Sequence, residues 1–137
     1  MPTLRIVASV IRDPEGRWLL VRKRGTTAFM QAGGKLEPGE TPAEALVREL
    51  AEELGMSVGL DELEHVGRFE AAAANEPGYL IDVDVFHAPY PGDVQPLAEI
   101  EELRWVDVAH PGDLELAPLI VDHMVQLLVT TSGGKQE

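Results

Sequence analysis

Leu4 to Ile11 reads LRIVASVI, an apolar run of strand length rich in β-branched residues. Asp13-Pro14-Glu15-Gly16 has turn composition, and Trp18 to Val21 starts a second strand running into Arg22-Lys23-Arg24. The chain is therefore expected to open with a hairpin. Residues 25–40 read as a Gly-rich loop. Thr41-Pro42-Ala43-Glu44 then carries an N-cap residue, Pro at the first helical position and Glu three residues after the cap. This predicts a helix from Pro42 to Leu54, stopped by Gly55, with Ala43, Leu46, Val47, Leu50 and Leu54 along one face. Leu63 to Ala73 and Tyr79 to Ala88 read as two further strands around Asn75-Glu76-Pro77-Gly78. In the second, Tyr79, Ile81, Val83 and Val85 alternate with Leu80, Asp82, Asp84 and Phe86. Leu103 to Val106 predicts a short strand and Leu116 to Val129 a closing helix. Residues 131–137 are expected to be a flexible tail, leaving residues 1–130 as a single domain. This order of elements predicts an α/β (α+β) sandwich, with helices on both faces of a mixed sheet.

Charge narrows the function. Against 24 Asp and Glu stand 11 Lys and Arg, a formal charge of −13. This argues against gripping nucleic acid, which depends on Lys and Arg displacing counterions from phosphates. With no cysteine in the chain, disulfides, thiolate zinc sites and thiol nucleophiles are excluded together. Neither a signal-peptide pattern nor an apolar run of roughly 18 to 20 residues is present, so no membrane partner and a cytoplasmic location are expected. His65, His87, His110 and His123 show no metal spacing.

The chemistry concentrates between Gly34 and Met56, GKLEPGETPAEALVRELAEELGM, which holds six acids and two bases. On the predicted helix Glu49, Glu52 and Glu53 span an arc of about 100°, expected to face away from the Leu46/Leu50 stripe. Like charges so spaced destabilise a helix by roughly 0.2 to 0.5 kcal/mol per pair and ask for a compensating cation. Hard oxygen donors without Cys or paired His select Mg²⁺ or Mn²⁺. Gly33, Gly34 and Gly39 allow close backbone approach, and a loop feeding a helix N-terminus offers N–H groups to an anion.

Taken together these residues resemble the Nudix box, through Gly34, Glu40, Arg48, Glu49, Leu50, Glu52, Glu53, Gly55 and the aliphatic position Met56. The resemblance implies an α/β/α sandwich and hydrolysis of a diphosphate bond in a nucleoside diphosphate linked to another moiety. Water would be the nucleophile and Mg²⁺ or Mn²⁺ the cofactor. It further implies Glu49, Glu52 and Glu53 as metal ligands, a Gly34 carbonyl lent to a metal, Arg48 orienting a box glutamate, and Glu40 in support. The general base differs among family members, which leaves Glu52 within the box and Glu99 outside it as candidates. The family commonly forms homodimers.

Outside the box, Arg22 and Arg24 are candidates to bind substrate phosphates, with strand alternation turning only one of them inward easily. Gln31 occupies an unusual place just before the paired glycines and is a candidate to contact a base or sugar, beside Gly33. Tyr79 and Phe29 are cleft candidates, while Trp18 and Trp105 read as packing residues. Two competing functions remain: a nucleotide sensor that binds without cleaving, and an isomerase of a prenyl diphosphate. The first has no physical need of three metal ligands, and the second lacks the cysteine commonly used as its acid.

Overall fold

A computed structural model of the chain describes residues 2–124. Strands β1 (Thr3–Val10) and β2 (Trp18–Lys23) are linked by the expected turn. Asp13 holds it: Oδ1 accepts from the N–H groups of Glu15 (3.0 Å) and Arg17 (2.8 Å), and Oδ2 from Arg17 Nε (2.7 Å). The hairpin is real only at its base, where Arg12 bridges Trp18 and the Leu19 N–H donates to Ile11 O at 2.9 Å. Beyond that point the two strands part into separate sheets.

The loop expected at residues 25–40 contains two short strands, β3 (Met30–Gln31) and β4 (Gly33–Lys35). Their brevity and glycine content erase the alternation by which strands are recognised. The order of the first sheet is β4-β1-β6-β5, with β5 at Glu64–Ala72 and β6 at Leu80–His87. It is mixed, since β1 runs parallel to β6 while the other pairs are antiparallel. The second sheet, β3-β2-β7, is antiparallel, and β7 (Ile100–Val106) starts earlier than its apolar core suggests. The α+β architecture and the mixed sheet are as expected, and a second, antiparallel sheet stands beside it.

Helix α1 (Pro42–Leu54) forms as predicted. Thr41 Oγ1 accepts from the Glu44 N–H, the Glu44 carboxylate accepts from the Thr41 N–H, and Gly55 ends the helix in the left-handed conformation at φ 69°. Leu46, Leu50 and Leu54 are buried against Val7, Ile11, Leu19 and Val21, each side chain contributing roughly 1.5 to 3 kcal/mol. Val47 is only partly buried, and Ala45 takes the fully buried place beside Leu46.

A second core fills the space between the sheets, from Ala8, Val10, Trp18, Leu20, Val83 and Val85 to Leu119, Ile120 and Met124. The closing segment starts later than expected. Leu116 sits in a parallel bridge with Phe29, helical backbone begins at Pro118, and a π-helical turn occupies Ile120–Met124. The rest of the expected helix and the tail at 131–137 lie outside the described residues. Among the described residues no helix is long and apolar enough to cross a membrane.

Candidate active site

The glutamates of α1 do not form the outward-facing arc expected of them. Glu52 alone points outward, with its side chain 55% exposed, whereas Glu49 is largely covered and Glu53 is only 3% exposed. The reason lies in β4, which contacts the flank of α1. A methyl at Gly34 would overlap the Glu49 carboxylate, and one at Gly33 would overlap the Val7 carbonyl. Paired glycines therefore let the helix and β1 close on β4 with acid groups between them. The Gly33 N–H donates to Glu53 Oε1 at 3.2 Å.

Arg48 organises the other side of the cluster. Its Nε and Nη2 donate to the two oxygens of Glu40 at 2.7 and 2.9 Å, and Nη2 also donates to Lys35 O at 3.0 Å. Nη1 donates to Glu49 Oε2 at 3.0 Å and to Glu52 Oε1 at 3.4 Å. The bidentate grip holds the Glu40 carboxyl down at about 2 and raises the Arg48 guanidinium. Burial pushes the opposite way on the inner acids. Glu53 is raised to about 8, first by desolvation and then by the charge of Glu49, and Glu49 is raised by desolvation despite Arg48.

Glu99 approaches from the second sheet. The Leu97 N–H donates to Glu53 O (2.9 Å) at the end of α1, and the Arg24 N–H donates to Glu99 O at 2.8 Å. Between these ties Ala98 adopts φ 53°, a left-handed conformation costly for a residue with a Cβ. Glu99 is thus aimed back toward the box, with Lys23 Nζ 3.4 Å away.

A cleft of about 510 Å³ opens between the two sheets, and Lys23, Arg24, Gln31, Gly33, Gly34, Glu49 and Glu99 all line it. The basic cluster enters differently from expectation. Arg22 is not in the cleft lining, since it is bound to Glu102 (3.2 Å) and Thr26 O (2.9 Å). Arg24 lies at the rim, 67% exposed and paired with Glu101. Lys23, which sequence reasoning passed over, is the cation whose charge reaches Glu49 and Glu53. Trp18 to Val21 are buried on both faces, so alternation assigns no inward side to the three basic residues after them. Glu40, Arg48, Glu52 and Glu53 lie outside the lining. Phe29 is buried in the core beneath Arg104, not in the cleft, and Tyr79 does not line it. Asp82 and Asp84 are engaged by Arg68 and by Arg5 and His65 on the first sheet.

The donors suit a hard divalent cation. They are carboxylates, and a buried carboxyl beside a second acid lacks a full counter-charge. Arg48 engages Glu49 and Glu52, and among the described residues no three acidic or histidine side chains converge as a ready-made cage.

The chain is 40% identical over 124 residues to an octanoyltransferase of Myxococcus xanthus, a match to 85% of this chain that spans only 34% of that protein. It is 32% identical to the CTP pyrophosphohydrolase of Escherichia coli, with 86% of each chain covered. Among solved structures, the solution structure of the E. coli ORF135 protein superposes with a TM-score of 0.72 at 29% identity, covering 97% of this chain and 94% of that one. The NUDIX domain family model matches residues 2–128, and the chain belongs to that family.

Proposed function

We propose that this chain is a divalent-metal-dependent pyrophosphohydrolase, in which water attacks a phosphorus of a nucleoside diphosphate linked to another moiety. The observation that carries the reading is the packing of two inner acids on the paired glycines, Glu49 against Gly34 and Glu53 on the Gly33 N–H, beside an inter-sheet cleft that Glu49 and the Lys23–Glu99 pair line. Glu49, Glu52, Glu53 and the Gly34 carbonyl would hold Mg²⁺ or Mn²⁺. Such an ion, when bound, neutralises the diphosphate and lowers the pKa of coordinated water.

The chain's own residues supply the rest. Lys23 and Arg24 draw the phosphates to the mouth of the cleft. Arg48 ties Glu49 and Glu52 to one guanidinium nitrogen and holds Glu40 as its own counter-charge. Glu99 or Glu52 accepts the proton of the attacking water at a carboxylate oxygen. The apolar inner part of the cleft receives the nucleoside and excludes bulk water.

Incubation with Mg²⁺ or Mn²⁺ and a panel of nucleoside triphosphates, oxidised nucleotides, ADP-ribose, dinucleoside polyphosphates and NADH tests the proposal. Turnover of at least one diphosphate is expected, together with loss of turnover in EDTA. Folded protein that binds nucleotide tightly without metal and cleaves none of the panel would make the chain a sensor instead. Glu53→Gln and Glu99→Gln then separate metal holding from proton transfer. The first is expected to abolish metal-induced stabilisation and the second to preserve it while lowering kcat.

A further inference from the structure

Gln31 stands opposite Leu20 in the β2–β3 pairing and so shares Leu20's face, which looks into the space between the sheets. It lines the cleft there and is 6% exposed. Its Nε2 donates to Ser9 O at 2.8 Å. A backbone carbonyl can only accept, so this bond fixes which end of the amide is nitrogen. The other end, Oε1, is buried and has no hydrogen-bond partner among the described residues. A buried amide oxygen left in this way is costly, and the space beside it is walled by Leu4, Ile6, Ala8, Ile81, Leu119 and Ile120. Such walls suit the faces of a flat heterocycle.

We infer that Gln31 is a specificity-determining residue whose Oε1 accepts a hydrogen bond from an exocyclic amino group on the nucleobase seated in this cleft. The inference rests on the chain being a nucleotide hydrolase. It adds a substrate class: bases that carry an amino group where their counterparts carry a carbonyl. With one N–H of Nε2 on Ser9 O, the atom of Gln31 left without a partner is its acceptor Oε1, and a carbonyl brought against that oxygen would set lone pair against lone pair. An amino group projects furthest from the ring edge, which suits an oxygen recessed in the wall. The terminal torsion of a glutamine is soft, so a small tilt of the amide brings Oε1 to the cavity surface.

Two matched pairs of substrates, CTP with UTP and ATP with ITP, test this. The readouts are kcat/KM with Mg²⁺ and binding by titration calorimetry. Wild type is expected to favour the amino member of the better-accepted pair by about 10-fold or more. Gln31→Met keeps the volume and removes the acceptor. It is expected to bring that ratio to within about twofold, by losing the amino member and barely changing the carbonyl one. Equal use of both members by wild type would overturn the inference. So would an equal loss on both members in Gln31→Met, which is what a purely structural bond to Ser9 predicts. If Gln31→Met fails to melt cooperatively, wild type is compared on CTP and the triphosphate of 2-pyrimidinone riboside, which has hydrogen in place of the amino group. A loss of about 10-fold supports the inference and no loss overturns it. If wild type cleaves no nucleotide, the hydrolase reading fails on its own, and the calorimetric ratio still decides whether Gln31 selects amino bases.

Discussion

Two glycines decide where the acids of this protein lie. Glycine at 33 and 34 removes the side chains that would hold β4 away from α1 and β1, and the Glu49 and Glu53 carboxyls move into the space. Gly34→Ala is accordingly expected to leave the melting curve nearly unchanged, because Glu49 can swing toward solvent. It should weaken Mn²⁺ binding, read by titration calorimetry, by roughly 10- to 100-fold, the scale seen when groups supporting metal ligands are altered. Arg48→Lys should also be far from neutral. A lysine offers a point charge where Arg48 spans both oxygens of Glu40 and reaches Glu49 with its remaining nitrogen.

Away from the site, Asp82 is held below its ordinary value of 3.8, first by hydrogen bonding from Arg68. A depressed carboxyl stabilises the fold at all pH above its unfolded value and gives up that stability as pH falls through its folded one. Wild type should therefore lose stability more steeply than Asp82→Asn once pH drops below 3.8, a difference visible in urea midpoints measured from pH 5 downward.

At the scale of elements, α1 was the most legible part of the chain. Its start, its stop and its leucine stripe are encoded locally, by Thr41-Pro42 with Glu44, by Gly55, and by a 3.6-residue period. Thr41→Ala, which removes the acceptor for the Glu44 N–H, is expected to cost about 1 kcal/mol in denaturant unfolding. The two-residue β3 and three-residue β4 were not legible, since neither is long enough to show a period. Nor was the burial of Glu53. Helical geometry places it on a flank, and only the glycine strand packed there turns that flank into an interior. Glu99 was a candidate only through what the family resemblance implies. Its actual placement rests on the bond from the Leu97 N–H to Glu53 O and on the left-handed Ala98, neither of which leaves a mark in composition.

For the molecule as a whole, the family was legible because its box is a fixed spacing of unlike residues, whereas the division into two sheets was not. The parallel pairing of β1 with β6 joins residues 77 positions apart, Arg5 with Asp82 for example, and no local pattern announces it. The formal charge of −13 also acquires a location, since part of it is packed between α1 and β4. Binding of a divalent ion there should stabilise the entire fold, by about 1.4 kcal/mol at a tenfold excess over Kd. Thermal melts are expected to rise by a few degrees with Mg²⁺ or Mn²⁺, and Glu53→Gln should show no such rise.

The parting of β1 from β2 makes the two sheets resemble the covers of a book, with the Asp13 turn as its spine. The cleft residues Leu4 and Lys23 sit near the far ends of β1 and β2. An eight-residue strand is about 26 Å long, so a change of about 5° at the spine moves the opposite edge by about 2 Å. Asp13, by accepting three hydrogen bonds within five residues, holds the two strands together at the spine.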